Sequence, residues 1–276
     1  MNAELRALAT LEGAELLRSR WLWLGCALYA ALALLFVGVG LRESSVLGFT
    51  GVGRALFSLS HALVYLLPLL ALFATGPLVP RAREDGSLEL LLSQPVSRAH
   101  HLGVALAVRW LGLAAPLLVL FLAAGAAGAL FGWPVPWGFV AQALAVCSAL
   151  LFAFAALGLA LSCSARSSAH ALAALLLAWF AAVALLDFGL IGILLRWQLA
   201  PQAVLVLAAL NPVEAARVAL LAGAEPDLAT LGPVGFYLAD RLGPTGLVAL
   251  GVGWPLVFGG LALMHALRRY CRDDAV

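Results

Sequence analysis

The chain has 276 residues, 64% of them hydrophobic and only 11% charged, with a net charge of +2 and a mean hydropathy of +1.05. A water-soluble domain cannot cover that much apolar material with polar surface, so the composition describes an integral membrane protein built of helices. All 16 basic side chains are arginine; the missing lysine removes the phosphate grip of a P-loop and the amine of Schiff-base enzymes, so energy arrives from another subunit or from a gradient.

Residues 3 to 18 place Leu5, Leu8, Leu11 or Glu12, and Leu16 at helical spacing, with Glu4, Arg6, Glu12, Glu15 and Arg18 supplying charge. This predicts an amphipathic helix lying along the inner membrane surface; the alternative is that it extends the first span into the cytoplasm. A crossing helix needs about 20 apolar residues, and six stretches qualify: about 21–41, 61–79, 109–131, 138–161, 168–195 and 246–267. The first is too long for a signal peptide, follows three glutamates and lacks a small-residue cleavage site, so it reads as a retained anchor. The second contains Pro68, a candidate bend.

Between the second and third spans lies Pro80-Arg-Ala-Arg-Glu-Asp-Gly-Ser-Leu-Glu-Leu-Leu-Leu-Ser-Gln-Pro-Val-Ser-Arg98. Gly86-Ser87 can start a short helix that must stop before Pro95, and Ser97 can cap the helix leading to the third span. Two short helices broken at Gln94-Pro95 would form an apolar-faced knob whose leucines need a cover, either lipid or a protein partner. The reversal Gly132-Trp-Pro-Val-Pro-Trp137 carries no charge and suits a tight turn at the interface. Gly125-x-x-Gly128 and Gly251-x-Gly253 allow close helix approach.

Asp187 stands alone in the fifth apolar stretch and should face the bundle interior or a cavity; function and scaffold are both open to it. The long segment 196–245 holds Asn211-Pro-Val-Glu214, a specific helix start, with a stop expected at Gly223. An outer or half-inserted helical hairpin is expected there, then a short helix around 236–242; it can equally be an inert cap. Arginines set the orientation. Arg6, Arg18, Arg20, Arg81, Arg83, Arg98, Arg166, Arg268, Arg269 and Arg272 fall on one side, against Arg42, Arg54, Arg196, Arg217 and Arg241. That excess puts both termini in the cytoplasm. The fold class is an all-α polytopic membrane protein, one transmembrane domain from residue 1 to 276.

The chemistry pass is mostly negative. The chain has no Walker lysine, His-Glu-x-x-His, Gly-x-Ser-x-Gly or Cys-x-x-Cys. Cys26, Cys147, Cys163 and Cys271 have no disulfide or metal spacing, and His100-His101 diverge on a helix, so no metal is expected. A lone Asp187 excludes an aspartyl dyad.

The knob sequence Glu84 to Arg98, six spans and the amphipathic N-terminal helix resemble the type-2 ABC exporter permeases. Leu47-Gly-Phe-Thr50, Asp187, Leu210-Asn-Pro-Val-Glu-Ala-Ala-Arg217 and Leu221-Ala-Gly223 are similar to the NosY branch of that family, which serves copper-site maturation of nitrous oxide reductase. The resemblance covers nearly the whole chain. It implies a coupling helix that docks on an ABC ATPase subunit through Glu84, Gly86, Ser87, Leu88, Glu89, Leu90, Leu91, Leu92, Gln94, Pro95, Ser97 and Arg98. It also implies a homodimer in the inner membrane, with ATP and Mg bound by the partner subunit and no cofactor on this chain. A periplasmic β-helix protein of the NosD kind would meet Asn211, Pro212, Glu214 and Arg217. ATP binding would then rock spans one, two and five. One position departs from the branch: Gly103-Val-Ala105 stands where Gly-Lys is usual, leaving His100, His101 and Arg109 as nearby positive charge. An exporter of lipid, drug or polysaccharide is the alternative within the family. An ion-coupled carrier or intramembrane enzyme is the alternative outside it, and would need further intramembrane acids or a nucleophile–base pair.

Overall fold

The computed structural model describes residues 2–40, 52–94, 96–130, 132–185, 211–224 and 232–272, and every regular element among them is helical. In chain order these are α1 (Asn2–Arg18), α2 (Arg20–Gly40), α3 (Val52–Thr75), α4 (Leu78–Glu84), α5 (Ser87–Leu92), α6 (Arg98–Leu130) and α7 (Trp137–Ser164). They are followed by α8 (Ser168–Phe180), which continues as a π-helical segment (Ala181–Leu185), then α9 (Pro212–Ala224) and α10 (Gly232–Arg272).

Four stretches of the described residues are long and apolar enough to cross a membrane: Gly53–Glu84, Arg98–Leu130, Trp137–Ser164 and Asp240–Arg272. A fifth is counted if α1 and α2 are taken together across their 62° bend. Of the six expected spans, the fifth is described only to Leu185, and that described part is shorter than a full crossing. The second begins nine residues earlier than expected, at Val52, because the stretch through Arg54 is helical and buried: Arg54 is 8% exposed.

The central helix is α7. Its buried residues recur from Phe139 to Cys163 and include six alanines and Gly158, which let neighbours approach on several faces. A Cβ at Gly158 would collide with the Thr75 hydroxyl and come 3.1 Å from the Leu72 carbonyl of α3. From α10, Gly259 meets the backbone of Ala153, and Gly251 meets Ala215 and Ala219 of α9. These small residues set the interhelical spacing that the sequence pattern suggested for Gly251. Gly125 does a different job, seating the Trp137 ring 2.8 Å from where its Cβ would be.

The α6–α7 reversal is a Schellman motif. Gly132 lies at φ 73°, and the N–H groups of Gly132 and Trp133 return to the carbonyls of Ala129 and Gly128. In α10 a break at Gly243, with φ 65° and ψ 166°, separates residues 232–242 from the long final helix. The short helix expected around 236–242 is that first part.

Candidate coupling site and its links through the bundle

The knob between α3 and α6 is built differently from the sequence expectation. α5 starts at Ser87 and stops at Leu92, ahead of Gln94, as expected, but a further short helix, α4, precedes it across a break at Asp85-Gly86. Gly86 takes a left-handed conformation, φ 73°, that side chains with a Cβ avoid. The Asp85 carboxylate accepts from the Ser87 N–H at 3.0 Å. After Gln94 the chain enters one 33-residue helix, α6. Ser97 caps it as expected, its hydroxyl accepting from the His100 N–H at 3.1 Å.

The leucines of α5 divide by face. Leu88 is 3% exposed and belongs to the main core, whereas Leu90 is 72% exposed. Leu91 is half-buried; Glu89 and Gln94 face outward. Leu88 is therefore an anchor, and Leu90 is the apolar side chain left without cover. The Leu92 side chain and Pro95 lie outside the described residues.

Four hydrogen bonds fasten the knob to other helices. The Val79 N–H donates to the Ser162 hydroxyl at 3.0 Å, joining α4 to the end of α7. Glu84 accepts from both the backbone N–H (2.7 Å) and the hydroxyl (2.6 Å) of Ser168. A carboxylate from α4 thus sits at the N-terminus of α8, where free N–H groups and the helix dipole favour an anion. The Arg98 guanidinium donates to the Tyr270 carbonyl at 3.2 Å, serving the opposite kind of helix end on α10.

A buried ionic cluster lies beside the knob. Glu12 of α1 and Arg109 of α6 form an ion pair with side chains only 3% and 6% exposed. His101 Nε2 is 3.2 Å from the other Glu12 oxygen, and its Nδ1 is 3.1 Å from the Tyr270 hydroxyl. Arg109 Nε also donates to the Ala74 carbonyl in the last turn of α3, at 3.1 Å. One acid therefore ties α1, α3, α6 and α10 together. Burial raises the Glu12 carboxyl pKa, but the His101 hydrogen bond and the Arg109 charge outweigh that and hold it below its ordinary range. Sequence reasoning offered either Leu11 or Glu12 for the apolar face of α1. The structure places Glu12 inward between Leu8 and Leu16, and leaves Leu11 55% exposed. The available signal was Arg109 itself, a cation in an apolar helix that needed an anion.

At the far end of the bundle, about 30 Å away along α7 between Ser162 and Gln142, a second set of bonds holds α9. Asn211 caps α9 by accepting from the Val213 N–H at 3.0 Å, and its amide donates to the Ala182 carbonyl at 2.7 Å. Ala182 belongs to the π segment of α8. Gln142 donates to the Ala219 carbonyl, and its side chain fills the space beside Gly223. Gly223 is therefore a site of close packing inside α9, which continues to Ala224, and not the left-handed stop expected from sequence. Glu214 pairs with Arg217 at 2.8 Å, and Arg217 lies 5.8 Å from the Tyr65 ring centroid. Asn211, Pro212 and Glu214 are buried and Arg217 is half-buried, so these side chains are turned toward their own chain.

Asp187, the stretch Leu47–Thr50 and the apolar run 203–210 lie outside the described residues. Among the described residues no three His, Cys, Asp or Glu side chains gather as a metal site.

Comparison with known proteins adds an independent line. A family model for ABC-2 family transporter proteins matches residues 6–275. A "Probable ABC transporter permease protein NosY" of Pseudomonas aeruginosa is 33% identical, the match covering 95% of this chain and 96% of the relative. A protein of the same description from Stutzerimonas stutzeri is 31% identical over 82% of this chain and 84% of its own length.

Proposed function

This chain belongs to the ABC-2 family of transporter permeases, and from that premise we propose that it is the six-span membrane lever of an ABC transporter, moved by an ATPase subunit that docks on α5. Both termini and the knob face the cytoplasm, α1 lies along the inner surface as an interfacial helix, and the segment containing α9 faces outward. ATP binding by two partner subunits pushes on α5 in each copy of a homodimer. The ATP and Mg stay with those partners; this chain positions no catalytic group and holds no cofactor.

The observation that carries this reading is the pairing of an exposed leucine with a fixed attachment. Leu90 offers an uncovered apolar contact. Glu84, two turns away in α4, is bonded through both oxygens to the first residue of α8. A push on α5 therefore arrives at the fifth span, and α8 is bonded in turn to α9 through Asn211 and Ala182. Similarity to the NosY permeases favours an output in copper-site maturation of nitrous oxide reductase, with α9 transmitting motion to a periplasmic β-helix partner of the NosD kind. The buried contacts of Asn211 and Glu214 support transmission through the helix as a body.

Leu90→Asp is expected to abolish co-purification of the ATPase while leaving the helical signal of the permease intact, because the side chain is exposed. Co-purification at the wild-type level would remove α5 from the docking surface.

A further inference from the structure

We propose that each chain holds one anionic phospholipid in the angle between the α1–α2 bend and α4, its phosphate among Arg18, Arg20 and Arg81 and an acyl chain in the cleft between α2, α3 and α8. Two cavities meet there. The larger, about 940 Å³, lies between the α1–α2 bend and the α4–α5 knob, and the three arginines are in its wall. The smaller, about 220 Å³, presents only apolar atoms, chiefly from Leu24, Leu28, Leu66, Leu69 and Leu176. Trp21 and Phe73 line both cavities. Their rings stack at 4.8 Å and form the sill between the charged space and the apolar one.

The charge balance in the larger cavity calls for an anion. Arg18 and Arg20 flank the 62° bend, are exposed, and make no ion pair with any described residue. Arg81 faces them from α4, and its acidic neighbour Glu84 is bonded through both oxygens to Ser168. Of the acids in the wall, Glu12 pairs with Arg109 and Glu15 lies 3.6 Å from the same guanidinium, while Asp85 accepts from the Ser87 N–H and keeps its charge. Four arginines against three carboxylates leave the wall net positive. Three arginines thus line a space at the bend that leads into the apolar α2, next to a slot lined by apolar atoms alone. Basic pockets between helices at the cytoplasmic surface are the usual way a membrane protein selects an anionic headgroup. The occupant is amphiphilic because the two cavities share a sill, and an ATPase surface, which stays in water, does not reach the apolar cleft.

The test uses the full-length permease without its ATPase, so it is independent of the docking reading. The chain is taken from bilayers of phosphatidylcholine mixed with phosphatidylglycerol, and retained lipid is measured by native mass spectrometry. One phosphatidylglycerol per chain is expected to survive. Arg18→Gln, Arg20→Gln and Arg81→Gln are each expected to lower retention about five-fold. Leu176→Trp, at an exposed position of the cleft, should lower it with the arginines intact. Excess glycerol phosphate should not displace the lipid, because the acyl chain shares the binding. Unchanged retention in the triple arginine variant overturns the site. So does displacement by glycerol phosphate, which would reduce it to a phosphate site. In a parallel co-purification with the ATPase, release of that subunit from the triple variant with lipid retained would instead make these arginines part of the docking face, and would also overturn the site. Circular dichroism of each variant confirms that the exposed substitutions leave the fold in place.

Discussion

Arg109 sits about three turns into α6, where an unpaired guanidinium would be costly, and its partner comes from a segment nearly a hundred residues earlier in the chain. Removing one member of a buried pair strands the other's charge, which costs about 3–5 kcal/mol, whereas replacing both with apolar groups of similar volume is close to neutral. Glu12→Gln is therefore expected to destabilise the chain by about 3 kcal/mol, read as the unfolding free energy in detergent. Glu12→Leu with Arg109→Met should recover most of that loss. The pair also has an acid limb. Because the Glu12 carboxyl is held below its ordinary range, its stabilising contribution is complete above the ordinary carboxylate pKa and fades as pH falls through the lowered value. The double variant should show a flatter decline in thermal stability under acid. Ala105 gains a physical account here. It is fully buried one turn before Arg109, so a lysine there would add a second buried cation beside the one buried acid, Glu12.

At the scale of elements, glycines separate two roles that look alike in sequence. Gly158 has the α3 backbone against it, so Gly158→Ala is expected to overpack the α3–α7 contact at a cost of about 1–3 kcal/mol. Gly103 has nothing within 4 Å of a built Cβ, so Gly103→Ala should raise stability by about 0.5–1 kcal/mol through helix propensity alone. A thermal-shift comparison of the two variants checks both signs. Helix existence was legible because runs of apolar residues of this length have one satisfactory backbone solution in lipid. The Ser97 and Asn211 caps were legible for the same local reason, since a side-chain acceptor one residue ahead of a helix leaves a signature. Other features were not. The division of Leu88 from Leu90 depends on which face of a six-residue helix meets the core, and a run of adjacent leucines carries no period. Gly223 reads as a helix stop in one dimension, and only the position of Gln142 in three dimensions makes it a packing residue. Glu84 was placed among the docking residues, but its bond to Ser168 joins positions 84 residues apart, which no local pattern can announce.

Across the whole molecule the bonds form a sequence from one end to the other: α5 and α4, then Glu84 to α8, then Ala182 to Asn211 and α9. Coupling of this kind needs an element that has two arrangements and that both ends bias. The prediction is an uncoupling variant. Glu84→Ala should keep the ATPase bound through Leu90, yet lose the ATP-dependent distance change between α4 and α9 seen by paired spin labels. Ser168→Ala, which keeps the backbone bond, should lose only part of it. An unchanged response in Glu84→Ala would show that motion reaches α9 by another route, such as α7 through Gln142.

The π segment at Ala181–Leu185 has a consequence for reading the fifth helix as a wheel. A wide turn accommodates one surplus residue, and one residue corresponds to about 100° of azimuth in a regular helix. A projection drawn straight from Ser168 with a regular period therefore misplaces the residues of this segment, and the carbonyl that Asn211 takes, that of Ala182, lies within it. Tightening the wide turn would draw that carbonyl toward the regular helical ladder and away from Asn211, so a one-residue slip at this place trades a winding change in one helix for the release of another.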